Sequence, residues 1–79
     1  VMVPISITAT GCTVSVVDNE DNVYGDGDSV KWGTSIHFVV TALQGYDQNA
    51  ITFDGGYYQL SDTSTADSDI TLTVSAALL

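Results

Sequence analysis

The segment from Ser35 to Ala42 reads Ser-Ile-His-Phe-Val-Val-Thr-Ala, with Ile36, Phe38, Val40 and Ala42 at one parity and Ser35, His37, Val39 and Thr41 at the other. A period of two is that of a β-strand with one buried face. The alternation returns in Val3-Ile5-Ile7-Ala9, in Cys12-Val14-Val16 and in Ile70-Leu72-Val74-Ala76. No segment carries a helical period. The chain is therefore expected to be all-β.

The segments between these runs are rich in Gly, Asp, Asn and Ser, the residues of turns. Thr10-Gly11 reads as a tight turn joining the first two strands into a hairpin. Pro4 falls near the start of the first strand, where a missing ladder hydrogen bond is tolerated. Val23-Tyr24 and Ser29 to Trp32 read as short strands flanking the Gly25-Asp26-Gly27-Asp28 turn, with Trp32 sharing the inward parity of Val30. Leu43 to Asn49 reads as a loop. Ile51-Phe53, Asp54-Gly55-Gly56 and Tyr58-Leu60 read as a second hairpin, with Tyr58 inward. Ser61 to Ser68 has no evident apolar anchor and is expected to be a mobile loop. Short, evenly spaced strands of this kind suit a sandwich or barrel. The expected fold is a small immunoglobulin-like β-sandwich of about seven short strands. The alternative is an open β-grasp-like sheet.

With 79 residues, the chain is expected to form a single domain, residues 1–79. A chain of this size buries only about 60% of its unfolded surface, so its core is small. The expected core is Ile5, Ile7, Val14, Val16, Ile36, Phe38, Val40, Ile51, Phe53, Ile70, Leu72 and Val74. Cys12 shares the parity of Val14 and is expected to be a buried small hydrophobe. Val1 preceding Met2 is expected of a domain excised from a larger protein.

Ten acidic residues face one lysine, Lys31, for a net charge of −9. Nucleic-acid binding depends on neutralising phosphates with Lys and Arg, so this composition excludes it. Anionic membrane surfaces are excluded for the same reason, and no run approaches the ~20 apolar residues of a membrane span. Such acidity favours a soluble monomer through mutual repulsion.

Five carboxylates lie between Asp18 and Asp28: Asp18, Glu20, Asp21, Asp26 and Asp28. Asp18, Glu20, Asp26 and Asp28 are the candidate metal ligands, because oxygen-rich loops bind calcium. The calcium-loop spacing fails, however. Counted from Asp18, Val23 stands where Gly is required and Ser29 where a bidentate Glu is required. Solvated turn acids are the expected reading, with no metal and no cofactor. His37, the single histidine, lies on the outward parity of its strand without a nucleophile-elbow context, so no catalysis is expected. Aromatic side chains dominate interface hot spots. Tyr24 and Tyr57 are the candidates for an exposed interaction surface, while Tyr46 is expected to pack over a sheet end. Leu78 and Leu79 are further apolar groups without a place in the core.

The order of these features resembles the internalin-B-type repeat modules of bacterial surface proteins. The resemblance is carried by Gly11-Cys12-Thr13-Val14, by Gly27-Asp28-Ser29-Val30-Lys31-Trp32-Gly33-Thr34, and by the strand from Ile36 to Ala42. It continues through Gly45-Tyr46, Ile51-Thr52-Phe53-Asp54-Gly55 and Asp69-Ile70-Thr71-Leu72-Thr73-Val74. The Gly-Trp pair common in those modules is replaced here by Ile51 to Gly56. The resemblance implies a non-enzymatic structural or adhesive module, extracellular, on a bacterial cell surface. Its partners would be neighbouring domains of the same chain, or a protein or glycan. A phage virion component, a decoration or fibre domain contacting other virion subunits, is the alternative. A carbohydrate-binding accessory module is the second alternative.

Overall fold

The computed structural model describes residues 1–79, and the chain is all-β with no helix. Eight strands form in chain order: β1 (Met2–Thr10), β2 (Cys12–Asp18), β3 (Val23–Tyr24), β4 (Ser29–Lys31), β5 (Ser35–Ala42), β6 (Tyr46–Asp54), β7 (Ser64–Thr65) and β8 (Ile70–Leu78). They make two four-stranded sheets, ordered β4-β1-β8-β6 and β3-β2-β5-β7. The sheets pack face to face as a β-sandwich, and the open-sheet alternative is set aside. The count exceeds seven because β3 and β7 are two-residue pieces.

The inward parities meet between the sheets. Val3 and Ile5 of β1 and Ile70, Leu72, Val74 and Ala76 of β8 face Cys12 and Val16 of β2 and Ile36 and Phe38 of β5. Ile7, Val14, Val40, Ile51 and Phe53 pack against this centre but are only partly buried. Each fully buried aliphatic, such as Ile36, Ile70 or Leu72, contributes about 1.5–3 kcal/mol. Phe38 joins Phe53 and Tyr58 in an aromatic cluster, with ring centroids 5.7 and 5.6 Å away.

Five local expectations are corrected. First, β1 and β2 do not form a hairpin. β1 pairs in parallel with β8, from Ile5 opposite Ile70 to Thr10 opposite Ser75, while β2 pairs antiparallel with β5. Gly11 carries the chain from one sheet to the other at φ +71°, and the Tyr46 ring lies against its Cα. Any Cβ there would strike that ring, whose Cγ would be 3.0 Å away. Second, the segment after Asp54 turns but does not return as a strand. Tyr58 is buried as expected, but from an irregular segment closed by its N–H to Gly55 O at 3.1 Å.

Third, the polar run from Ser61 to Ser68 is anchored. Ser64–Thr65 pairs with Ser35 and Ile36, Gly33 N–H donates to Ala66 O at 2.9 Å, and the Ala66 side chain is fully buried. A methyl group sufficed where no large apolar residue was available. Fourth, Trp32 is 56% exposed. β4 ends at Lys31 and the chain turns at Gly33 with φ +87°, so the parity set by Val30 no longer governs Trp32. The expected loop at Leu43 to Asn49 also shortens, because β6 begins at Tyr46 and runs irregularly to Ile51.

Candidate functional site

The acidic segment is a set of turns. Asp18 closes the β2–β3 connection, where Asp21 adopts φ +63°. Its carboxylate accepts from Glu20 N–H (2.8 Å), Asn22 N–H (2.9 Å), Asn22 Nδ2 (3.0 Å) and Tyr24 Oη–H (3.0 Å). Burial alone would push this carboxyl upward. The hydrogen bonds from Asn22, Glu20 and Tyr24 outweigh burial and hold its pKa at about 2. The same contact, then desolvation and the charges of Asp18 and Glu20, raises the Tyr24 phenol above its ordinary value.

Asp26 Oδ1 accepts from Ile7 N–H at 2.8 Å, and Asp28 Oδ2 accepts from Gly25 N–H at 2.7 Å. These carboxylates therefore cap backbone donors at separate places, while Glu20 is exposed. Nowhere do three acidic, histidine or cysteine side chains converge. His37 is half-buried on β5 with no side-chain hydrogen bond from a serine, threonine or cysteine.

Of the two candidate aromatics, Tyr57 stands free, with 92% of its surface exposed at the tip of the Gly55–Tyr58 turn. The turn is tight because Gly55 lies under Phe53, where a Cβ would come within 2.6 Å of Cε1 and Cζ. Tyr24 is corrected. It is half-buried, packs against the core and spends its hydroxyl on Asp18, so it offers only part of its ring. The structure keeps the two apart, with no shared concavity.

Two open troughs lie on the surface. The first, about 480 Å³, runs between β5 and β6 and is lined by Phe38, Val39, Val40, Gln48, Asn49, Ile51 and Leu60. β7 covers only Ser35 and Ile36 of β5. Further along that edge the Gln48 amide takes the place of a strand, accepting from Ala42 N–H at 2.6 Å and donating to Val40 O at 3.0 Å. The second, about 660 Å³, is lined by Tyr57, Tyr58, Ser64, Thr65, Asp67 and Ser68. It joins an exposed aromatic ring to hydroxyls and one carboxylate. Sequence reasoning found Tyr57, which is left outward when Tyr58 and Leu60 take the inward parity, but missed Ser64, Thr65, Asp67 and Ser68, since nothing local indicates that residues 64–68 return to it.

No family model, curated protein or solved structure matches this chain.

Proposed function

We propose that this chain is a non-catalytic structural or adhesive module of a bacterial cell-surface protein, acting as a spacer strung end to end with its neighbours. The parallel pairing of β1 with β8 is the observation that carries this reading. With Ile5 opposite Ile70, Met2 lies level with position 67, and β8 runs on to Leu78. Eleven residues at about 3.3 Å each separate the two strand ends by roughly 36 Å. The molecule is 41 Å long and about half as wide, so its two ends occupy opposite poles.

Apolar side chains are exposed at both poles. Val1, Met2 and Trp32 sit at one, and Leu43, Leu78 and Leu79 at the other. Trp32 N–H donates to Val1 O, and Leu79 N–H donates to Gly45 O, which fixes each group to its pole. Large exposed apolar groups of this kind suit contact with an adjoining domain. The resemblance to internalin-B-type repeats supports the same reading.

The test is solution scattering from one, two and three tandem copies. The maximum dimension is expected to grow by close to the 41 Å molecular length with each added copy. Copies that fold back on one another, with little growth in length, would refute the spacer. A closed oligomer of the single chain at pH 7, insensitive to pH, would favour the virion component instead.

The second trough favours one further reading, a carbohydrate-binding module. An aromatic face beside Asp67, Ser64 and Ser68 suits a sugar's C–H face and hydroxyls. A glycan array that shows binding abolished by Tyr57→Ala would establish it. Binding that persists in Tyr57→Ala would exclude this trough.

A further inference from the structure

We propose that the β1–β8 pair is a mechanical clamp, and that the domain resists tension applied between its two poles. The proposal deepens the spacer reading, but its physical basis is the strand register. A spacer needs only length, whereas a clamp needs a particular direction of loading.

β1 and β8 are the two central strands of their sheet, between β4 and β6. They run parallel, paired from Ile5–Ile70 to Thr10–Ser75. Tension through the chain draws β1 toward the pole where it begins and β8 toward the pole where it ends. The strands are thereby pulled past each other along their own axes. The rungs of the ladder lie across that direction, so they bear load together. Strands separated from one end would instead break one rung after another.

Both loaded strands are also laced on their outer sides, β1 from Met2 to Ile7 and β8 from Thr73 to Leu78. On its far side β1 is laced to the segment before and within β4. Met2–Pro4 pairs with Ser29–Lys31, Ile5 N–H donates to Asp28 O at 2.9 Å, and Gly27 N–H donates to Ile5 O at 3.0 Å. Asp26 extends the lacing by accepting Ile7 N–H at 2.8 Å. β8 is held on its other side by β6, and its end is tied by Leu79 N–H to Gly45 O at 3.1 Å. Ile5, Ile70, Leu72 and Val74 are buried beneath the clamp and keep water from its inner face.

Single-molecule force spectroscopy tests the direction of loading. In one geometry the full chain is held at residues 1 and 79. In the other it is held at residue 79 and at Gln44→Cys, in the turn beside Leu79; the native Cys12 thiol is only 6% exposed and out of reach. β6 and β8 are antiparallel, so the second geometry opens that pair from one end. At equal loading rate, the rupture force is expected to be several-fold higher between residues 1 and 79. Rupture there should release about 25 nm of chain in one step, the extended length at about 3.6 Å per residue less the folded separation.

Thr8→Pro adds a second measurement. Ile5 and Ile7 direct their N–H groups away from β8, so alternation directs that of Thr8 toward it. This substitution should lower the force between residues 1 and 79 and leave the Gln44–79 force unchanged. Equal forces in the two geometries, or low-force stepwise release from the poles, would overturn the clamp. The two-geometry comparison stands if Thr8→Pro fails to fold. Scattering from tandem copies judges the spacer separately.

Discussion

Gly11→Ala should destabilise the domain for two separable reasons. The first is the backbone. Gly11 has φ +71°, where an L-residue costs about 1–2 kcal/mol. The second is the Tyr46 ring, which occupies the volume an added Cβ would need. The ring carbon nearest the chain, Cγ, is among the atoms struck, so rotation of the ring tip gives no relief. Overpacking of this kind costs about 1–3 kcal/mol, for a combined loss of about 2–5 kcal/mol. A domain of this size holds roughly 4–12 kcal/mol in all. At about 4–8 °C per kcal/mol, Tm should fall by at least about 8 °C. Urea unfolding followed by circular dichroism gives the free energies. In a Tyr46→Ala background, Gly11→Ala should cost only the backbone part, leaving a coupling of about 1–3 kcal/mol in the double-mutant cycle. Equal costs in both backgrounds would show that the ring does not dictate glycine here.

Three further outcomes are expected. Phe38→Ala should cost about 3–5 kcal/mol by chemical denaturation, since it empties the centre of the Phe53–Tyr58 cluster. The Asp18 carboxyl titrates at about 2 in the folded chain and near 3.8 when free. Its stabilisation is therefore complete above pH 4 and is lost as pH falls through 2. A series of melting temperatures from pH 5 to 2 should show this loss in the native chain and a flatter profile in Asp18→Asn. Millimolar calcium should leave Tm unchanged, because Asp18, Asp26 and Asp28 already accept backbone N–H groups. A clear rise abolished by Asp26→Asn with Asp28→Asn would instead establish a bound ion.

The strands that alternate without interruption were legible in the sequence, and β1, β2, β5 and β8 fall where parity places them. Parity states which face is buried, not which strand lies alongside. That is why Thr10-Gly11 suggested a hairpin while β1 takes β8, 65 positions away, as its partner. Parity also lapses where a strand stops. Trp32 lies one residue past β4 and points to solvent, whereas Tyr58 reaches the core from a turn. Ala66 was illegible because its burial depends on β7 docking against β5, and an alanine among serines and aspartates carries no local signal. Tyr57 could be read as exposed because Tyr58 and Leu60 hold the inward parity. Its neighbours in the trough come from a segment that only tertiary structure brings back.

The late partner of β1 also shapes how the chain acquires its fold during synthesis. β2, β3 and β5 can associate once Ala42 has left the ribosome, because their pairings with one another lie within residues 12–42. β1, made first, has only the short β4 until Ile70 to Ser75 emerge. The first strand must therefore wait for almost the last residues before its sheet closes. Pairing over such a sequence separation is slow, because the loop must close before any contact rewards it. A nascent chain stalled before β8 would carry Ile5 and Ile7 without the strand that pairs with them.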